Sequence, residues 1–271
     1  MIKYLVPTDY SANSLHALQY AIQLANKQPS IIYLYHFYRI KEKAGMIMSF
    51  EERLQDENER QLEDLVATVA HLMDENTRIE IKAKSGDAAT QINWNAEVHG
   101  VDYIVMGAQG ETMDPQVSFG STLGGVIKST ITPILIIPPN FAGGLPRRIL
   151  FAFRRLTTHA HEVIRPFRWL LSLCKAKLSV LHVIASEDDT MEVELGDLFT
   201  HQAFHEVEIK ADSLPAGVAA YLAENSMDWV CMIKRNRGIF ERLFTTNRFY
   251  KEDFSIPVPV LLVPEWKATA E

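Results

Sequence analysis

Three short stretches of this 271-residue chain combine residue types and spacing suited to holding an anion. They are Pro7-Thr8-Asp9, Gly107-Ala-Gln-Gly110, and Gly120-Ser121-Thr122, which follows Gly110 after nine residues. Glycine lacks a Cβ, so Gly107, Gly110 and Gly120 could bend into positive φ and let an anion approach the backbone closely. A helix opening at Gly120-Ser121-Thr122 would offer unpaired N–H groups, the positive end of its dipole and two hydroxyls to a phosphate. Asp9, closing the first apolar run, is placed to accept hydrogen bonds from ribose hydroxyls or an adenine amine. The combination describes nucleotide chemistry. Each part also has a plainer use, with the glycines as turn residues, Ser121 as an N-cap and Asp9 as a cap on the first helix.

These stretches need elements to position them, and the chain supplies those elements twice. Five apolar runs in the first half are Ile2–Pro7, Ile31–Phe37, Ile79–Lys84, Val101–Met106 and Pro133–Pro138. Five more follow at Arg148–Phe153, Leu178–Ile184, Val207–Ala211, Met227–Met232 and Pro259–Pro264. His36 matches His182, IEIKA matches VEIKA, and Asp102-Tyr-Ile-Val-Met106 matches Asp228-Trp-Val-Cys-Met232. The offset between partners drops from 146 to 128 and then holds at 126, so one deletion separates the copies. It falls where the first half carries a long helix with Leu54, Leu62, Leu65, Val69 and Leu72 on one stripe and a Ser49/Glu52 capping box at its start. Ser11 or Ser14 can cap the first helix, Asp87 the third and Ser121 the fourth.

Alternating strands and helices, with continuously apolar strands, predict parallel sheets covered on both faces. The expected fold is α/β: two tandem doubly wound domains, each with a five-stranded parallel sheet in order 3-2-1-4-5 and helices on both faces. The domains are 1–140 and 148–271, joined by a Gly/Pro linker at 141–147. In such a sheet the binding crevice lies at the carboxyl ends of the strands, beside the point where strand order reverses. The loops after strands one and four flank that point, and they hold Asp9 and the glycines.

Composition narrows the function. Hydrophobic residues at 47% and charged residues at 23% indicate a folded globular chain, and a net charge of −7 argues against a nucleic-acid partner. Residues 1–145 carry −6 and residues 146–271 only −1. Cys174 and Cys231 lie in apolar runs and read as small core side chains. With no signal-type leader and no apolar stretch near ~18 residues, a cytoplasmic protein without a membrane partner is expected. No P-loop, dinucleotide fingerprint, nucleophile elbow or H-E-x-x-H motif is present, so any enzymatic turnover is expected to be weak.

The spacing Gly107-x2-Gly110-x9-Gly120-Ser121 resembles the nucleotide motif of the ATP-binding branch of the universal stress protein family. Val6-Pro-Thr-Asp9 is similar to that family's first-strand signature, and Thr132-Pro-Ile-Leu-Ile-Ile-Pro138 to its closing strand. The resemblance implies a stress-response protein binding ATP or another adenine nucleotide. It implies adenosine contacts from Asp9 with Pro7 and Thr8 beside it, and main-chain contacts to adenine from Phe37. Met106, Gly107, Gln109 and Gly110 would line the ribose and phosphate side, and Gly120, Ser121 and Thr122 would hold the phosphates. Asp114 or Glu111 are candidates for placing magnesium, against the simpler account of solvated loop carboxylates.

In the second half every diagnostic residue is replaced: Arg154 stands opposite Asp9, Ile233 opposite Gly107, Asn236 opposite Gly110 and Thr246-Asn247 opposite Gly120-Ser121. Lys234-Arg-Asn-Arg237 could bind another anion or an acidic partner, or form a solvated loop paired with acids of the first domain. His201 and His205 have the spacing of two ligands on one helix face, with surface histidines as the plainer account. His36 and His182 read as satisfied groups at the core edge. The apolar fifth strands, Pro133–Pro138 and Pro259–Pro264, invite edge pairing and an intramolecular pseudo-dimer, with homodimerisation of two chains a further option. Three functions remain in view: a regulatory nucleotide binder, a slow nucleotide hydrolase, and an interaction scaffold with an empty site and an unknown protein partner.

Overall fold

The computed structural model describes residues 1–39, 47–110, 120–139, 141–235 and 256–265, with backbone alone for 47–51. By contact density the chain falls into two compact units that part between Thr132 and Pro133.

The first unit runs β1 (Ile2–Thr8), α1 (Ala12–Ala25), β2 (Ser30–Tyr38), α2 (Ile47–Val69), β3 (Thr77–Ser85), α3 (Ala88–Val98), β4 (Tyr103–Gly107) and α4 (Ser121–Ser129). β1 pairs in parallel with β2 on one side and β4 on the other, and β2 pairs in parallel with β3. Tyr4, Leu5 and Val6 of β1 are wholly buried, as are Ile32 and Leu34 of β2 and Ile104 and Val105 of β4. Neighbouring residues of a strand point to opposite faces, so consecutive buried positions mean that both faces are covered. Ser11 caps α1, its Oγ accepting from Ser14 N at 3.2 Å, and Asp87 caps α3, accepting from Thr90 N at 3.1 Å. α2 begins at Ile47, so Ser49 lies inside the helix and is not the N-cap that its spacing to Glu52 suggested.

The second unit holds β5 (Ile134–Ile137), β6 (Arg148–Phe153), α5 (Ala160–Val163), α6 (Arg165–Cys174), β7 (Lys177–Ile184), α7 (Leu195–Leu198), β8 (Phe204–Lys210), α8 (Leu214–Glu224), β9 (Trp229–Lys234) and β10 (Val260–Pro264). A 23-residue α2 in the first repeat is answered here by the four-residue α7, which is where the offset drops. Strand order is β3-β2-β1-β4-β5 in the first repeat and β8-β7-β6-β9-β10 in the second, which is 3-2-1-4-5 in both. β10 runs antiparallel to β5, pairing Val260 with Ile136 and Leu262 with Ile134. All four residues of β5 are buried, so this apolar strand presents no bare edge to β10's side.

Two matches between the copies acquire a structural reason. Asp102 accepts Lys3 N at 2.9 Å and returns its own N–H to Lys3 O, tying the entry of β4 to the start of β1. Asp228 accepts the amides of Arg147 and Arg148 at 2.8 Å and donates its N–H to Arg148 O, doing the same for β9 and β6. His36 Nδ1 bonds Thr8 O at 2.8 Å, and His182 Nε2 bonds Arg154 O at 3.1 Å, so each histidine fastens the end of the first strand of its repeat. Asp102→Ala and Asp228→Ala should each cost roughly 1.5–3 kcal/mol, the net worth of a hydrogen bond to a charged group. Urea midpoints would check this, with the Asn variants expected to retain part of the stability.

Candidate functional site

The loops after β1 and β4 close a cavity of about 300 Å³ within the first unit. Pro7, Thr8 and Asp9 come to it from the end of β1, and Phe37 from the end of β2. Met106, Gly107, Gln109 and Gly110 come from β4 and the turn beyond it, and Gly120, Ser121 and Thr122 from the start of α4. Sequence reasoning had singled out all eleven. It passed over Ser14, Ala88, Ile92, Ala108 and Leu123, which complete the lining. Ile92 and Leu123 carry only the ordinary signal of a helix's apolar stripe, and Ser14 that of a helix start.

Asp9 is held rather than loose. Its Oδ1 accepts Ser11 N at 3.1 Å and Ser11 Oγ at 2.6 Å, a local turn that leaves the capping of α1 to Ser11. Its Oδ2 lies so near Gly110 that a Cβ there would stand 2.5 Å away. Thr8 fixes the same loop from below, with Oγ1 3.0 Å from Ser14 Oγ and accepting Tyr10 N at 3.0 Å. Tyr10 takes a left-handed φ of 63°, and its hydroxyl donates to Asn58 O on α2. Burial pushes that phenol up to about 12, so it remains a neutral donor across the physiological range.

The glycines differ from the expectation that they would adopt positive φ; among the described glycines that conformation belongs to Gly86 and Gly100. Close approach explains two of them. A Cβ on Gly107 would lie 3.0 Å from Asn13 O of α1, and one on Gly110 would strike Asp9. Gly120 is another matter: at φ −66° a Cβ would make only ordinary contacts, the nearest at 3.5 Å. Neither backbone strain nor packing demands glycine there.

Gly120 is also the N-cap of α4, displacing Ser121 from the capping role expected of it to the first helical position. A glycine cap has no side-chain oxygen, and no side chain caps this helix. The first-turn amides of a helix have no partner within it. Ser121, Thr122 and Leu123 therefore bring orphan donors and the positive end of the dipole to the cavity wall. Glu111 and Asp114, the candidates for magnesium, lie outside the described residues, and among the described residues no group of three metal-ligating side chains occurs.

The equivalent place in the second unit is chemically different. Thr8 pairs with His36 and Phe153 with His182, so Arg154 takes the position of Asp9. Its guanidinium grips Asp189 in a fork, with Nε–O distances of 3.1 Å and Nη2–Oδ2 of 2.9 Å. Asp189 Oδ2 also accepts the amides of Ala185 and Ser186 at 2.8 Å. Burial alone would raise this carboxyl, but the Arg154 bond and the two amides outweigh it and hold it below the ordinary carboxylate range.

Two further expectations change. Lys234 is no solvated loop residue: it ends β9, is 4% exposed, and burial lowers its pKa. Arg235 pairs with Glu265 of its own unit at 3.5 Å, not with an acid of the first domain, and Asn236 and Arg237 lie outside the described residues. His201 sits in a turn and His205 on β8, so their four-residue spacing is not helical.

Residues 1–138 match the model of the Universal stress protein family. Universal stress protein MJ0531 of Methanocaldococcus jannaschii is 28% identical over 141 residues, which are 50% of this chain and 81% of that protein. Universal stress protein G of Shigella flexneri is 29% identical over 94 residues, 35% of this chain and 63% of its own length. The crystal structure of a universal stress protein from Archaeoglobus fulgidus superposes with a TM-score of 0.72 at 19% identity, covering 97% of this chain and 96% of that one, and so shares its fold. A universal stress protein in complex with cAMP matches half of this chain at a TM-score of 0.41, too slight a likeness to bear on the cavity.

The Arg154–Asp189 pair gives a testable sign. Asp189→Ala should cost about 3 kcal/mol at neutral pH, the low end for breaking a buried pair, because Arg154 keeps some solvent contact. Since the folded carboxyl titrates below its unfolded value near 3.9, the stabilisation is full above that value and is lost as pH falls through the folded pKa. Urea denaturation of wild type and variant should therefore differ most near pH 7 and converge below about pH 4.

Proposed function

The chain belongs to the universal stress protein family, and on that premise we propose that its N-terminal repeat is a regulatory site for ATP or another adenine nucleotide. One observation carries this: the carboxylate of Asp9, the Gly107–Gly110 turn and the uncapped first turn of α4 converge on one cavity from separate loops. Asp9 is positioned for sugar or base, and α4 for phosphate. Phe37 and Met106 provide the apolar walls that a base requires. Gly120 supports the same assignment, since a cap without a side chain leaves the amides to a ligand.

The second repeat is the degenerate copy, with Arg154 and Asp189 neutralising each other where a ligand would sit, so the expected stoichiometry is one nucleotide per chain. We take the repeats as domains of 1–140 and 148–271 joined at 141–147, with the antiparallel β5–β10 ladder supporting an intramolecular pseudo-dimer. Among the described residues no helix is long and apolar enough to cross a membrane. A cytoplasmic role in a stress response, in which binding alters conformation or partner choice, fits this design. Slow hydrolysis at most is expected, because residues 106–127 contain no Lys or Arg to stabilise phosphoryl transfer.

Denaturing purified protein and analysing the supernatant by mass spectrometry should release adenine nucleotide. Its absence, with no thermal shift at millimolar ATP, AMP or cyclic AMP, would refute the assignment, and two equivalents per chain would refute the single site. Gly120→Ser separates the ligand from the fold. Serine is the better cap by a few tenths of a kcal/mol, so the melting temperature should hold or rise. Its oxygen would occupy a first-turn amide, so nucleotide affinity should fall.

A further inference from the structure

The backbone is strained one residue beyond Asp9. Tyr10 has a φ of 63°, in the left-handed region where a bulky L side chain is a steric outlier. Such a conformation persists only where its surroundings fix it. Three contacts do so here. Tyr10 N donates to Thr8 Oγ1 at 3.0 Å, its ring packs on His36 with centroids 4.5 Å apart, and its hydroxyl donates to Asn58 O of α2 at 3.0 Å.

The strained residue is also the hinge of the turn that aims Asp9. Ser11, on its far side, donates both its N–H and its hydroxyl to Asp9 Oδ1, which closes the turn with Oδ2 on the Gly110 side. A return of Tyr10 to ordinary helical φ is a rotation of about 120°, which would part Ser11 from Asp9 and swing the carboxylate. Tyr10 itself stands outside the cavity's described lining, so it acts on the site through Asp9.

The second repeat is built differently at this place. Arg155, the counterpart of Tyr10, does not share the left-handed φ. Its neighbour Leu156 is tied through the backbone to the segment before α7, with Leu156 N donating to Thr190 O at 3.1 Å and Leu156 O accepting Glu192 N at 2.8 Å. Among the described residues, then, the strained turn, the open crevice and the long α2 occur together in one copy. α2 is an adjustable anchor. From Glu52 onward Leu62 is its first buried side chain, and the turns before it, which carry Asn58, are exposed or half-buried. A segment with so little buried surface opens at low local cost.

We propose that Tyr10 is a positioning residue that couples the Asp9 cavity to α2: docking of the helix's N-terminal turns holds Asp9 for the ligand, and ligand binding in turn tightens that docking. The proposal rests on the nucleotide reading above and specifies how that site is regulated. Reciprocity is required, because a coupling free energy acts equally in both directions.

The test joins equilibrium binding of AMP, and of ATP with magnesium, to hydrogen exchange of α2, all in the full chain. Tyr10→Phe keeps the ring and removes the hydroxyl, so affinity for nucleotide should fall several-fold, the scale of one hydrogen bond. In wild type, bound nucleotide should slow exchange in α2 ahead of Leu62, and in Tyr10→Phe at saturating ligand it should not. Exposed Glu57 supplies a second lever. Glu57→Gly should bind several-fold more weakly than Glu57→Ala, since glycine loosens the helix, and the difference should vanish in the Tyr10→Phe background. A merely structural tyrosine would lower the melting temperature without linking helix to ligand. Unchanged affinity in Tyr10→Phe, or bound nucleotide that leaves exchange in α2 unmoved, overturns the coupling and leaves the nucleotide assignment standing. A difference between Gly and Ala at 57 that persists without the hydroxyl overturns Tyr10 as its route. If neither nucleotide binds the wild type, the assignment falls and the coupling with it.

Discussion

The central position of β1 is the constraint on which everything else rests. Parallel partners on both sides leave its backbone no outlet except at its ends, and Tyr4, Leu5 and Val6 seal both faces. A parallel strand must be left by a crossover, and crossovers to β2 and from β4 leave on opposite sides of the chain's starting point. The loops after β1 and β4 consequently stand apart at the same end of the sheet. The gap between them is a product of topology, formed before any side chain is chosen to fill it.

The two repeats fill that gap in different ways. In the first, small residues and a short carboxylate leave space, and an unsatisfied helix end faces it. In the second, a guanidinium fork and a carboxylate occupy the place and satisfy two backbone amides as well. Retained parts show what the scaffold itself needs: an aspartate locking the fourth strand to the first, and a histidine fastening a backbone carbonyl at or just past the first strand's end. Residues shared by both copies therefore serve the sheet, and residues confined to one serve its crevice.

Much of this was legible in the sequence because parallel strands buried on both faces read as unbroken apolar runs. Val101–Met106 and Met227–Met232 declare themselves as strands by composition and as a pair by repetition. The lining of the cavity was legible because a sharp turn and a helix start constrain residue type strongly. Local detail was less so. Ser121 and Gly120 compete for the same capping position, and geometry chose the glycine because the chain enters α4 extended at residue 120, with ψ at 154°. The glycines at 107 and 110 could not be explained in advance, since their reason is an Asn13 carbonyl and an Asp9 carboxylate from distant parts of the chain. Lys234 misled for a similar reason: a charged letter at a strand's end looks like a loop unless tertiary burial is known.

The Arg154–Asp189 fork has a consequence for how the two halves experience the cell. A site filled by its own chain has an occupant whose local concentration is fixed by covalent connectivity, and no change in metabolite supply can empty it. A site filled from solution gains stability only in proportion to the logarithm of ligand concentration. The crevice of the second repeat is thus set by covalent structure, and its occupancy stays constant whatever the cell supplies.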